Sequence, residues 1–208
     1  MKAATLVVSL LLLSACSGFS KLDLTTLGRD SWQRPADVVD ALELRPGDRV
    51  ADLGAGEGYF VPRLTDAVGA EGRVYAVDTD EEIVAELTRR FPPESTNVEA
   101  VRARFEDPML PDGSLDVILI VNTYHHIEDR PAYFRRLKRD LRPGGRVAVI
   151  DPNQDLRGIL ALALDEGHKS SVPVVEQEMR EAGYRIEARH DFLPVQIFRV
   201  FVPDPDAG

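Results

Sequence analysis

The sequence predicts a doubly wound α/β domain, a mostly parallel sheet of seven strands closed by an antiparallel C-terminal hairpin. Three observations lead there. From residue 31 onward, short β-branched runs alternate with helical patterns. One run, 117–121 (VILIV), is apolar on both faces, as a central strand must be. The last two runs, near 184–192 and 196–202, are separated only by Leu193, Pro194 and Val195. Alternation with short connections calls for parallel strands with crossover helices on both faces. So short a link permits only an antiparallel pair.

In chain order, residues 17–30 read as a short polar tether with no strong period, so the folded domain is expected over 31–203. Strand patterns fall at 48–53 (DRVADL), 73–78 (RVYAVD), 97–103 (NVEAVRA), 115–121 (LDVILIV) and 146–151 (RVAVID). Helical patterns fall between them, at about 36–44, 60–68, 81–90 and 131–141. A further helix near 173–182 ends at Gly183, a residue suited to a C-cap. No repeat or low-complexity segment interrupts the series.

The first strand runs into Gly54, Ala55, Gly56 and Gly58. Glycines there let the chain turn sharply and let a ligand approach without a Cβ in its way. The spacing is G-x-G-x-G. A dinucleotide fingerprint requires G-x-G-x-x-G, and its third place is held here by Tyr59. Asp52 precedes the first glycine by two residues. A pyrophosphate is repelled by a carboxylate, whereas a cationic ligand is attracted to one. Asp78 closes the second strand, where a carboxylate can accept both ribose hydroxyls. The other reading of Asp78 is a solvated turn acid, because Asp80, Glu81 and Glu82 follow as a helix N-terminus.

Four segments taken together resemble the successive motifs of the class I S-adenosylmethionine-dependent methyltransferases: VADLGAGEGYF (50–60), VYAVD (74–78), FEDPMLPDGSLDVILIVNTYHHIED (105–129) and LRPGGRVAVID (141–151). The resemblance covers about 30–202 and implies a Rossmann-like fold with S-adenosyl-L-methionine as cofactor. Carried over position by position, it implies that Gly54, Gly56 and Gly58, with Ala55, pass under the methionine and ribose portions. Asp52 would meet the amino group and Asp78 the ribose hydroxyls. Glu106 or Asp107, with Asp107 preferred, would contact the adenine amine, and Asn122 would face the methionine end. A cofactor bearing an ammonium and a sulfonium accounts for an acid beside the glycine loop.

After the fourth strand comes Asn122-Thr123-Tyr124-His125-His126. In an open α/β sheet, ligands lie beyond the carboxyl ends of the strands, so this loop overlooks the transferable methyl. Positioning supplies most of the barrier reduction for methyl transfer, and a base is needed only when the acceptor must lose a proton. His125, His126 and Tyr124 are the candidate bases. Their structural alternative is a cap or packing contact on the next helix. Before the first strand, Trp32, Gln33 and Arg34 are candidate lid or acceptor contacts, and covering the core is the alternative for the tryptophan. The loop 152–172, with Asn153 and His168, is expected to wall the acceptor pocket.

Bulk properties limit the partners. A net charge of −10 argues against nucleic acid. A single cysteine excludes an internal disulfide framework and a cysteine-rich metal site, and the paired histidines have no evident third ligand. Lys2 and the apolar run Ala3–Leu13 lead into Leu13-Ser14-Ala15-Cys16, which resembles a bacterial lipoprotein signal with Cys16 as the lipidated residue. This implies removal of 1–15, a tether at 16–30 and a membrane anchor on the periplasmic side. Ser17, rather than aspartate, follows the cysteine and favours the outer membrane of a Gram-negative host. The expected activity is methyl transfer to a small-molecule acceptor. Two other classes stand beside it: a non-catalytic cofactor-binding module and, disfavoured by the glycine spacing, a NAD(P)-dependent oxidoreductase.

Overall fold

The computed structural model describes residues 24–94, 96–154 and 170–207. Cys16 and His168 lie outside the described residues. The elements are α1 (Leu24–Gln33), α2 (Pro35–Ala41), β1 (Arg49–Leu53), α3 (Val61–Val68), β2 (Arg73–Asp78), α4 (Glu81–Arg90), β3 (Val98–Arg102) and β4 (Leu115–Val121). A 3₁₀ turn follows at Tyr124–His126, then α5 (Arg130–Leu137), β5 (Leu141–Pro152), α6 (Val172–Glu181), β6 (Tyr184–His190) and β7 (Gln196–Pro203).

One seven-stranded sheet runs in the order β3-β2-β1-β4-β5-β7-β6. The strands from β3 to β5 are parallel, while β7 pairs antiparallel with both β5 and β6. This is the predicted fold. Between β1 and β4 the winding reverses direction, which leaves a crevice at the carboxyl ends of those strands.

Alternation along the strands builds two core layers. Val117 and Leu119 of β4 pack with Val38, Leu64 and Leu87 of α2, α3 and α4. Ile118 and Ile120 pack on the opposite face with Phe134 of α5 and Met179 of α6. All seven residues of β4 are buried, which is why its run lacks a polar face. Local signals fix the helix starts. Asp80 caps α4 by accepting from the N–H groups of Glu82 and Ile83, and prolines occupy the first turns of α2, α3, α5 and α6.

Two boundaries differ from expectation. The chain is helical from Leu24, so folded structure begins within the stretch expected to be a tether. Pro35 separates α1 from α2, and Arg34 before it takes a left-handed conformation (φ 45°). Strand β5 begins at Leu141, because the Leu-Arg-Pro-Gly-Gly segment enters the ladder through a register shift opposite Leu115.

Candidate functional site

The carboxyl ends of β1, β2 and β4 border a cavity of about 430 Å³, with Gly54, Asp78, Thr123 and His126 in its wall. That volume lies in the range of small-molecule sites. The glycine loop forms one rim, and its three glycines, all at positive φ, have different neighbours. A Cβ on Gly54 would overlap the Thr123 side chain, and one on Gly58 would lie 3.0 Å from Leu87 and Phe91. Those two positions serve close packing. Only Gly56 faces open space. Ala55 is buried in the core beneath the loop.

Four of the loop's amides are already committed. The N–H groups of Gly54 and Ala55 donate to the Val77 carbonyl at 2.8 and 2.9 Å, and that of Gly58 donates to the Ala55 carbonyl at 2.9 Å. The Gly56 N–H donates to Asp78 Oδ2 at 3.0 Å, while Asp78 Oδ1 accepts from the Asp80 N–H at 3.1 Å. Two backbone donors thus fix the Asp78 carboxylate at the cavity wall. A carboxylate has about four acceptor sites, so capacity for two hydroxyls remains. Asp80 is the helix cap in this turn and Asp78 is the cavity acid.

Asp52 is only 3% exposed, on β1 behind the loop. Burial pushes its carboxyl up to about 7, against the pull of Arg29 and with the push of Asp78. Asn122 follows β4 in a left-handed conformation (φ 54°). Its Oδ1 accepts from Gln196 Nε2 at 2.7 Å, Gln196 Oε1 accepts from Gln33 Nε2 at 2.9 Å, and Gln33 Oε1 accepts from Arg29 Nε at 3.2 Å. This chain of bonds ties α1 to β7 and to the end of β4.

A 3₁₀ turn advances about 120° per residue, so Tyr124, His125 and His126 project in three directions. Tyr124 is buried, stacks on Phe134 and donates its hydroxyl to Glu178 at 2.6 Å. Burial and that carboxylate hold the phenol protonated far above its ordinary range. This geometry gives Tyr124 the structural placement. His125 Nδ1 lies 2.9 and 3.1 Å from the two oxygens of Asp151, at the end of β5. Asp151 is fully buried and also accepts from Ser170 Oγ at 2.5 Å. His126 lies tilted against His125, with ring centroids 4.0 Å apart, and lines the cavity.

Neither acid after β3 lines that cavity. Burial pushes the Asp107 carboxyl up, but hydrogen bonds from Arg139 at 2.5 Å and from the Met109 N–H at 2.8 Å outweigh it and hold it below its ordinary value. Glu106 is exposed and borders an adjoining groove. Arg104 and Phe105 stand at the cavity instead. The sequence reading missed both. The available signal was one bulky aromatic among charged residues just past a strand end.

Of the N-terminal candidates, Gln33 is buried in the bonded chain and Trp32 is half-buried. Arg34 is occupied elsewhere, donating to Asp37 at 2.7 Å and to the Phe192 carbonyl at 2.9 Å. Asn153 bridges to Ser170 beside the His125–Asp151 pair.

The family model Methyltransf_11, described as a methyltransferase domain, matches residues 51–149. The chain is 35% identical over 121 residues to an uncharacterized 37.1 kDa protein in transposon TN4556 of Streptomyces fradiae, covering 57% of this chain and 34% of that one. It is 27% identical over 156 residues to the ubiquinone/menaquinone biosynthesis C-methyltransferase UbiE of Hahella chejuensis, covering 74% and 62%. The chain therefore spans about a third to three fifths of the length of these relatives. Its fold superposes on a SAM-dependent methyltransferase from Aquifex aeolicus with a TM-score of 0.72 and 26% identity, over 84% of this chain and 93% of that one. Residues 51–149 are thus similar to a methyltransferase domain, and the fold is that of a SAM-dependent methyltransferase.

Proposed function

We propose that the chain transfers a methyl group from S-adenosylmethionine to a small-molecule acceptor, with His125 taking the acceptor's proton. The observation that supports the cofactor is the state of the glycine loop. The amides of Gly54, Ala55, Gly56 and Gly58 are all bonded internally, so they are not presented to a pyrophosphate. Two carboxylates, Asp52 and Asp78, stand by the loop instead. That pattern suits a cation with a ribose and disfavours NAD(P).

S-adenosylmethionine, when bound, supplies a sulfonium-activated methyl group for in-line transfer. Asp78 holds hydroxyls at the cavity wall, and Gly56 leaves room for the ligand to pass. The Asp151 carboxylate accepts Nδ1–H of His125, which sets the tautomer with its lone pair on Nε2. A proton passed to His125 would be stabilised as the imidazolium by Asp151. The relatives named as ubiquinone/menaquinone biosynthesis C-methyltransferases motivate phenolic and hydroquinone acceptors as the first compounds to screen.

The test is transfer of labelled methyl from the cofactor to such a panel by the purified protein. Labelled product that disappears in His125→Ala supports the proposal. Cofactor binding with no transfer to any acceptor favours the non-catalytic module. We also propose export as a lipoprotein anchored through Cys16, on the periplasmic side of the outer membrane. Replacing Cys16 by serine should then abolish lipid labelling and release the protein from the membrane fraction. Membrane retention without lipid label on the native protein contradicts that localisation.

A further inference from the structure

The turn that carries His125 is too short to hold itself in place. It spans three residues, Tyr124–His126, and is closed by backbone bonds from His126 to Thr123 at 3.0 Å and from Ile127 to Tyr124 at 3.2 Å. The hydrogen bonds of a 3₁₀ turn have poor geometry and so short a helical segment is unstable alone in water, so contacts from elsewhere fix its place. Glu178 of α6 supplies them at both ends. Its Oε2 accepts from the Tyr124 hydroxyl at 2.6 Å and from Arg130 Nε at 2.7 Å, and its Oε1 accepts from Arg130 Nη2 at 2.9 Å. Arg130 also donates Nη1 to the Ile127 carbonyl at 3.3 Å and lies 5.2 Å over the Tyr124 ring. Burial pushes the Glu178 carboxyl up, but hydrogen bonds from Arg130 and Tyr124 outweigh it and hold it below its ordinary value. The segment that leads into α6 reaches the acid partner of His125 as well, since Ser170 donates to Asp151.

We propose that Glu178 is a positioning residue for the proton transfer, holding the His125 turn in register with Asp151 through Arg130 and Tyr124. This rests on the reading of His125 as the base and extends it to α6, outside the segment 51–149. His125 and Asp151 follow the ends of neighbouring strands, so a small rotation of the turn breaks their bond. Two-point pairing of a carboxylate with a guanidinium resists such rotation. Arg130 is the main link, because it joins Glu178 to the end of the turn, while the Tyr124 hydroxyl steers the carboxylate. The C-terminal part of the chain thereby brackets the pair: Glu178 sets the base and Ser170 sets the acid.

The test follows the imidazole nitrogens of His125 by long-range proton–nitrogen NMR on the full chain, with signals assigned by His125→Gln. Titration with S-adenosylhomocysteine and labelled methyl transfer to the phenolic panel accompany it. In the wild-type protein His125 should be the Nδ1–H tautomer, as its bond to Asp151 requires. Glu178→Gln keeps an acceptor for Tyr124 and removes the charge that pairs with Arg130. Arg130→Met removes the same link from the other side and decides the matter if the first variant does not fold. Both should shift His125 toward the Nε2–H form that histidine favours in water, and lower turnover roughly tenfold or more, with S-adenosylhomocysteine affinity within about twofold. Tyr124→Phe keeps the ion pair and should leave the tautomer unchanged, which separates positioning from a general loss of stability. The wild-type tautomer and full turnover in both Glu178→Gln and Arg130→Met, whatever their melting temperatures, overturn the positioning role while His125 stands as the base. Full turnover by His125→Ala overturns the base, and the positioning role with it.

Discussion

Changing the pH from 5.5 to 8 carries the carboxyl of Asp52 through its titration. Its ordinary value is 3.8, and burial against the sheet raises it to about 7, with Arg29 opposing and Asp78 reinforcing. The folded protein therefore holds this proton more tightly than the unfolded chain does. Stability is unaffected below about pH 4, falls as the pH rises toward 7, and levels off above it. The penalty at the plateau is about 3 units at 1.36 kcal/mol each, or about 4 kcal/mol. A cationic cofactor favours the ionised form, so binding should expel the proton. Near pH 7 about half a proton should be released, and at pH 6 about nine tenths, with affinity falling up to ~10-fold per pH unit below 7. Isothermal titration in buffers of different ionisation enthalpy reads the proton count directly. Asp52→Asn should be more stable than wild type at pH 8 and similar at pH 4, and it should bind the cofactor without proton release. Affinity that stays constant from pH 5.5 to 8, with no proton released by the wild-type protein, would refute the reasoning.

Three other perturbations separate roles that lie side by side. Among the glycines, Gly56→Val should block cofactor binding while costing ~1 kcal/mol of stability from backbone strain; Gly54→Ala should lower the melting temperature more, through overlap with Thr123. At the 3₁₀ turn, His125→Ala should lower turnover ~10²-fold or more with cofactor affinity nearly intact, whereas Tyr124→Phe should keep turnover and lose ~1 kcal/mol of stability with its bond to Glu178. For the acids, Asp78→Ala should weaken cofactor binding at least ~10-fold, whereas Asp107→Asn should leave it within ~2-fold because Asp107 is turned toward Arg139; titration calorimetry reads both.

The sheet was legible in the sequence because its signals are local. Strand β4 shows its burial as an uninterrupted apolar run, and α4 carries its own cap, acidic first turn and basic last turn. The hairpin followed from the short link between its strands. Helix α1 was not legible: it contains Gly28 and is held by tertiary bonds such as Gln33 to Gln196, 163 residues apart. The glycine loop could be read as a turn for a cationic ligand, but its spacing did not reveal that Gly54 and Gly58 serve packing. Asp107 looked available because Arg139, its partner, lies 32 residues downstream. In the same way Asp151 was visible only as the end of a strand. Its pairing with His125 arises because β4 and β5 are neighbours, and no local pattern announces that.

Competition between ligands tests the central claim most directly. Purified protein titrated with S-adenosylmethionine, S-adenosylhomocysteine and NAD at pH 8 should bind the first two and show weak or no heat with NAD. Saturating binding of NAD, with no response to either sulfur nucleoside, would contradict the assignment of the glycine loop, Asp52 and Asp78 to a cationic cofactor.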